Sequence, residues 1–105
     1  MDEVDLTVVT LGFSARPDGV EQLLAVLSKY VVLSRQHPGC RNIDLCSSVT
    51  TPGQYLVIEK WETPLAQRAH FDSPDMVEMA RACDGLLEAR PAIELYEGIS
   101  AHDLK

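Results

Sequence analysis

The chain has 105 residues, 46% of them hydrophobic and 24% charged, a balance typical of one globular domain spanning residues 1–105. Its 9 basic and 16 acidic side chains give a formal net charge of −7, which argues against nucleic-acid and anionic-membrane partners because both require clustered Lys and Arg. No apolar run approaches the roughly 20 residues of a membrane span, and the acidic N-terminus is unlike a secretory signal, so we expect a cytoplasmic protein.

The N-terminal half of the chain predicts a strand, a helix and a second strand. Residues 4–13 are rich in β-branched side chains and predict the first strand. Apolar residues then recur with the spacing of one helix face, at Val20, Leu23, Leu24, Leu27 and Val31. The Pro38-Gly39 pair ends this helix near His37, and residues 40–50 predict the second strand.

The C-terminal half predicts a third strand, two short helices and a last strand. Residues 51–54 read Thr-Pro-Gly-Gln, a turn signal that joins the second strand to a third over residues 55–62. Thr63 and Ser73 each precede a proline, which predicts two helix starts with a capping side chain. The apolar stripe of the later helix is expected to extend from Met76 to Leu87, and residues 92–100 predict the fourth strand. The order β-α-β-β-α-β indicates an α+β, ferredoxin-like fold with an antiparallel four-stranded sheet.

Alternation along the strands places apolar side chains on both faces of the predicted sheet. Val8 opposes Val9 on the first strand, and Ile58 opposes Val57 on the third. Two layers of helix would be needed to cover both faces, and the chain supplies enough for one. We therefore expect a homodimer in which a second copy covers the other face.

Chemistry is expected where the third strand ends and the next helix begins. The strand ends at Trp61, the only tryptophan, and Glu59 lies two residues earlier on the same face. The following helix carries His70 about two turns along, so an indole, a carboxylate and an imidazole converge on one pocket. Such a set can bind a flat aromatic molecule and move a proton on it, and His70, Trp61 and Glu59 are our candidate catalytic residues. The alternative is structural: a core indole, and an imidazole hydrogen-bonded to the carboxylate.

Four further residues are candidates for the lining of a substrate pocket: Asn42, Phe71, Met76 and Met79. Methionine suits a pocket that accepts varied shapes, although both methionines also fit a plain core position. Asn42 fits a solvated strand start equally well, and Phe71 a core or dimer contact.

The sequence predicts neither a metal nor a bound cofactor. The cysteines Cys40, Cys46 and Cys83 lack metal-ligand spacing and are expected to be reduced thiols. No phosphate-binding glycine motif is present.

Three local patterns together resemble the antibiotic biosynthesis monooxygenase family, within the dimeric α+β barrel superfamily. They are His37-Pro38-Gly39-Cys40, Glu59-x-Trp61 and His70-x-x-Ser73-Pro74, and the resemblance covers nearly the whole chain. It implies a small barrel that oxidises quinols or aromatic polyketides with dioxygen and without bound metal or flavin. It also implies a substrate between helices and sheet, with Trp61 as a pocket wall and His70 as its titratable member.

The chain departs from two specialised patterns of these relatives. Polyketide-oxidising members carry an Asn on the tryptophan strand where this chain has Val57, and haem-degrading relatives carry one near the end of the first strand. The only asparagine here is Asn42. The first hypothesis is a cofactor-independent monooxygenase acting on a small quinol-like or polycyclic aromatic substrate. The alternatives are a non-catalytic small-molecule-binding or stress-response barrel and, third, a haem-degrading monooxygenase.

Overall fold

The computed structural model describes residues 3–4, 6–99 and 103–104. In chain order the elements are β1 (Glu3–Val4), β2 (Thr7–Ser14), α1 (Val20–Ser34), β3 (Cys40–Ser47), β4 (Gln54–Trp61), α2 (Pro64–Phe71), α3 (Pro74–Ala82), β5 (Ala92–Glu97) and β6 (Asp103–Leu104). Strands β2 to β5 form one antiparallel sheet in the order β3-β4-β2-β5, and β1 pairs with β6. The predicted α+β, ferredoxin-like arrangement is confirmed.

Several elements end earlier than the sequence predicts, and local hydrogen bonds explain one case clearly. Strand β3 stops at Ser47, because the Ser48 hydroxyl accepts hydrogen bonds from the backbone N–H groups of Thr50 and Thr51 and turns the chain. Helix α3 stops at Ala82, so Leu87 lies beyond it and forms a β-bridge with Ala15 instead. The last strand stops at Glu97, and residue 100 of its predicted span lies outside the described residues.

Both proline-started helices begin as predicted. The Thr63 hydroxyl accepts a hydrogen bond from the Ala66 backbone N–H at 3.0 Å, and Pro64 occupies the first turn of α2. The Ser73 hydroxyl caps α3 through the Met76 backbone N–H at 3.3 Å. These caps satisfy backbone donors that a helix start otherwise leaves without partners.

The core lies between the helices and one face of the sheet. Strands β2 and β4 alternate buried and partly buried residues along their length, so every second side chain points at the helices. The buried sheet residues include Val9, Leu11, Phe13, Ile43, Val57 and Trp61, and the helices contribute Leu23, Leu27, Tyr30, Val31, Met76 and Met79. The same alternation places the side chain of the charged residue Glu59 in the interior.

The other sheet face and the β5 edge have no helix over them among the described residues. The cross-strand row Lys60–Val8–Tyr96 places apolar and polar side chains side by side on that outer face. By register, Ile93 and Leu95 share a face with the buried β2 residues, yet they are 43% and 56% exposed. The helices therefore cover β3, β4 and β2 more completely than β5. No helix in the described part of the chain is long and apolar enough to cross a membrane.

Candidate functional site

Glu59 is the centre of a buried polar cluster. The Trp61 indole Nε1–H donates to Glu59 Oε1 at 3.0 Å, and the Tyr30 hydroxyl donates to Glu59 Oε2 at 2.5 Å. Alternation on β4 brings both Glu59 and Trp61 to the helix side, and α1 supplies Tyr30 from above. Each carboxylate oxygen thus has one strong neutral donor, which is how a buried carboxylate is tolerated in a protein interior.

His70 completes this cluster from α2. Its ring lies against the Trp61 indole, with centroids 4.5 Å apart and an interplanar angle of 31°. His70 Nε2 is 2.8 Å from the Ser34 hydroxyl, and Nδ1 is 3.7 Å from Glu59 Oε1. The imidazole is only 2% exposed. The structure therefore places the indole, carboxylate and imidazole of the predicted set side by side in the interior, with their polar atoms turned toward one another.

Burial governs the charge state of the cluster. Desolvation raises the pKa of Glu59, while the hydrogen bonds from Tyr30 and Trp61 act in the opposite direction. Desolvation, together with the nearby His37, lowers the pKa of His70 to about 4, and Asp75 acts in the opposite direction. Burial and the Glu59 charge raise the pKa of Tyr30. At neutral pH His70 is uncharged and has a lone pair on one ring nitrogen, so it can accept a proton.

A second imidazole connects the cluster to the surface. His37 Nε2 lies 2.7 Å from Asp75 Oδ2, which joins the turn after α1 to the first turn of α3. The His37 ring meets the His70 ring edge-on, with centroids 4.9 Å apart and planes at 83°. Both members of the His37–Asp75 pair are partly exposed, so this pair lies between the buried cluster and solvent.

Sequence reasoning missed Tyr30, Ser34 and Asp75. The signal for two of them was present: Tyr30 and Ser34 continue the stripe of Leu23 and Leu27 at helical spacing, and both are buried. A tyrosine and a serine on the apolar face of a helix need partners in the core, and this need points to a polar cluster there.

A cleft of about 680 Å³ lies between α3, the segment that follows it and the sheet. Its lining includes Leu11 and Phe13 from the sheet, Met76, Met79 and Cys83 from α3 and its end, and Leu87 and Ile93 beyond. Arg81 and Arg90 also line it. Trp61, Glu59 and His70 are not among its lining residues.

The residues predicted to line a pocket separate into two groups. Met76 and Met79 line the cleft. Phe71 borders a different depression beside Ile93 and Leu95. Asn42 is exposed on the edge strand β3 and donates a hydrogen bond to Asp44 Oδ2 at 3.0 Å. Across the described residues, no three His, Cys, Asp or Glu side chains converge as a metal site would require.

Residues 7–82 match the family model described as antibiotic biosynthesis monooxygenase. The chain belongs to this family. Its four-stranded antiparallel sheet with three helices agrees with that membership.

Solved structures of other proteins share the fold of this monooxygenase-family chain. The protein Rv0793 of Mycobacterium tuberculosis is 26% identical with a TM-score of 0.84, covering 90% of this chain and 95% of its own. A candidate antibiotic biosynthesis monooxygenase of Nitrosomonas europaea is 16% identical with a TM-score of 0.86, covering 93% and 94%. A second such candidate, from Caulobacter crescentus, is 20% identical with a TM-score of 0.83, covering 91% and 92%. At these identities the last two show the fold alone.

One curated relative is an uncharacterized protein of Synechocystis, 27% identical over 93 residues. The match covers 89% of this chain and 63% of the relative, so the chain spans less than two thirds of that protein's length.

Proposed function

We propose that this chain is a cofactor-independent monooxygenase that oxidises a small quinol-like or polycyclic aromatic substrate with dioxygen. The observation that carries the proposal is the cleft of about 680 Å³ between α3 and the sheet, walled largely by apolar side chains. Small-molecule sites are typically apolar clefts of about 300–1,000 Å³ with a few polar groups, and a flat ring system suits a space between a sheet and a helix. Membership of the family and the names of two structural neighbours support the reaction class.

In the proposed reaction the protein supplies a proton acceptor and an apolar site. A CH2 group between two aromatic rings loses a proton to the neutral His70, and the carbanion transfers one electron to dioxygen. Recombination of the two radicals forms a C–O bond, and the resulting peroxide anion takes the proton back from the His70 imidazolium. Loss of water from the resulting hydroperoxide leaves a carbonyl, so one oxygen atom enters the product and the other leaves as water. Glu59, 3.7 Å from His70 Nδ1, stabilises the imidazolium that forms.

Substrate in the cleft reaches His70 only when a core side chain moves. Met76 and Met79 line the cleft and belong, with Trp61, to one contiguous buried cluster. Methionine has three rotatable side-chain bonds and adapts to irregular space. The side chains of Met76 and Met79 are therefore suited to move aside when substrate enters.

The test is oxygen consumption with anthrone and a panel of alkylhydroquinones. His70→Ala should lower turnover by about 10²–10⁴-fold, the usual contribution of a general base. Arg68→Ala, an exposed residue on the same helix, is the matched control and should leave turnover unchanged. Equal turnover in His70→Ala and wild type would remove His70 from the mechanism, and no turnover of any substrate by wild type would contradict the proposal.

A non-catalytic small-molecule-binding barrel is the second candidate, and one observation favours it. Trp61, Glu59 and His70 are fully buried, and their hydrogen bonds are made within the protein, from Trp61 and Tyr30 to Glu59 and between His70 and Ser34, as residues of a structural core do. On this hypothesis the same aromatic compounds bind in the cleft, measured by calorimetry, and no oxygen is consumed.

We also propose that the chain works as a cytoplasmic homodimer. The outer face of the sheet carries Val8, Leu56, Ile58 and Tyr96, and Leu56 and Tyr96 are at least 37% exposed. A second copy packed on that face would bury them, with a total interface of well over ~1,200 Å². Light scattering at micromolar concentration should give twice the chain mass, and a folded monomer would contradict the dimer.

The free thiols of Cys40, Cys46 and Cys83 support a reducing compartment.

A further inference from the structure

A second cavity lies on the opposite side of α3 from the cleft. This groove between α1 and α3 has a volume of about 310 Å³. Its apolar walls are formed by Ala25, Val26 and Leu33 of α1 together with Met79 and Ala82 of α3. Tyr30, which is only 2% exposed, lies at its base. The groove is therefore the cavity that touches the buried polar cluster, through the residue that donates to Glu59.

Among the residues that the structure describes, Met79 alone lines both the cleft and the groove. Its side chain is 7% exposed, so it fills the space between the two cavities. The Met79 sulfur accepts a contact from the Cys83 thiol at 3.7 Å, and Cys83 lines the cleft alone. A weak sulfur contact and an unbranched side chain allow Met79 to change rotamer at low energetic cost.

We propose that Met79 is the movable partition between the cleft and the groove, and that the ligand is an aromatic ring bearing an apolar side chain. The ring occupies the cleft, and the side chain passes Met79 into the groove toward Tyr30. This inference rests on the proposed function in one respect, that the cleft is the substrate site.

The lining of the groove defines the chemistry of that side chain. The inner walls are aliphatic, so an alkyl chain gains free energy by leaving water there. The charged residues Lys29, Asp75 and Glu78 also border the groove, and Asp75 is already held by His37. A ligand whose chain ends in a charge would have to compete with these groups, whereas an alkyl chain reaches Tyr30 without such competition.

Anaerobic calorimetry with two probes tests the partition without any reaction. The probes are 2-methylhydroquinone, which fits the cleft alone, and 2-hexylhydroquinone, whose chain must pass Met79. Met79→Ala should tighten binding of the hexyl probe relative to the methyl probe by about 10-fold, the effect of a few buried methylene groups no longer opposed by the methionine. Met76→Ala is the matched control, because Met76 is equally buried and lines the cleft but not the groove. It should change binding of both probes by the same factor.

Two further variants keep the test decisive if truncation disturbs the fold. Met79→Ile keeps the volume but stiffens the side chain, so it should weaken the hexyl probe selectively. Ala25→Phe fills the groove from α1. Combined with Met79→Ala, it should abolish the tighter binding of the hexyl probe. The partition proposal is wrong if the gain in binding of the hexyl probe survives Ala25→Phe. It is also wrong if the Met76 and Met79 variants change binding of the two probes equally. If both probes bind as expected while wild type consumes no oxygen with either probe or with anthrone, the monooxygenase proposal fails and the partition stands. Binding of neither probe contradicts both.

Discussion

The Tyr30 hydroxyl donates a 2.5 Å hydrogen bond to Glu59, a residue 29 positions later in the chain. This bond joins the middle of α1 to the inner face of β4 at a point from which water is excluded. Because Glu59 also accepts from Trp61 and lies 3.7 Å from His70, the tyrosine holds the carboxylate on which the other two residues depend. The bond is therefore a structural requirement of the candidate site whatever reaction occurs there.

Tyr30→Phe removes this donor and leaves one oxygen of a buried carboxylate without its partner. We expect a loss of about 1.5–3 kcal/mol in the free energy of unfolding, typical of a hydrogen bond to a charged group. Urea denaturation measures it. The double variant Tyr30→Phe with Glu59→Leu should recover part of the loss, since it removes the buried carboxylate too. A Tyr30→Phe protein as stable as wild type would show that Glu59 is protonated and satisfied elsewhere.

Stability should fall in mild acid because of His70. Its pKa is about 4 in the folded protein and ordinarily about 6.5, so the unfolded chain binds the proton more tightly. The stabilising contribution is complete above pH 6.5 and is lost progressively as the pH falls toward 4. Between pH 7 and pH 5 the loss should be about 2 kcal/mol from this residue.

Denaturation of wild type and His70→Gln across this pH range isolates the effect. The Gln side chain can keep a hydrogen bond to Ser34 and does not titrate. The raised pKa of Glu59 contributes in the opposite direction, and it is common to both proteins. The stability of wild type relative to His70→Gln should therefore fall by about 2 kcal/mol from pH 7 to pH 5, and parallel curves would contradict the assignment.

Gly39 should be more sensitive to substitution than Gly85. Both residues have positive φ, +81° and +80°, so an added methyl group costs roughly 1–2 kcal/mol in backbone strain at either position. At Gly39 a Cβ would also lie 2.5 Å from the Ala66 Cβ on α2, whereas at Gly85 it would meet nothing within 4 Å. Gly39→Ala should thus lower the melting temperature well beyond Gly85→Ala. Ala66→Gly should rescue part of the difference, and equal melting temperatures would rule out the close approach.

The three thiols should react with Ellman's reagent in an order set by their exposure. Cys46 is exposed on β3, Cys40 is intermediate and Cys83 is buried. Burial also raises the pKa of Cys40 and Cys83, which lowers the fraction of reactive thiolate. One thiol should titrate quickly, and Cys46→Ser should remove this fast phase alone. A fast phase that survives Cys46→Ser would mean that the segment around Cys40 opens readily.

Local signals were sufficient for most of the fold. Thr63-Pro64 and Ser73-Pro74 specify helix starts through capping geometry, and the 51–54 turn specifies a hairpin, since these effects act within a few residues. The meeting of Trp61, Glu59 and His70 also followed from one continuous segment.

What the sequence did not predict depends on contacts between distant segments. Tyr30 and Ser34 reach Glu59 and His70 across 29 and 36 residues, and no local pattern specifies such pairings. The position of the cleft depends on where α3 ends and on how the 83–91 segment returns to the sheet. Asn42 and Phe71 lie outside the cleft because side-chain direction at strand starts and helix ends is fixed by tertiary packing.

Strand β2 lies in the interior of the sheet although it is made before both strands that pair with it. Both of its neighbours come later, since Thr7 pairs with Trp61 on one side and with Glu97 on the other. Until residues 54–61 have left the ribosome, β2 has no strand to pair with, and its apolar inner face has no complete core. Long-range pairing of this kind is slow to form, and it leaves strand edges open to other chains in the meantime. The core of the nascent chain is therefore expected to be completed only after residues 92–97 of β5 have been made.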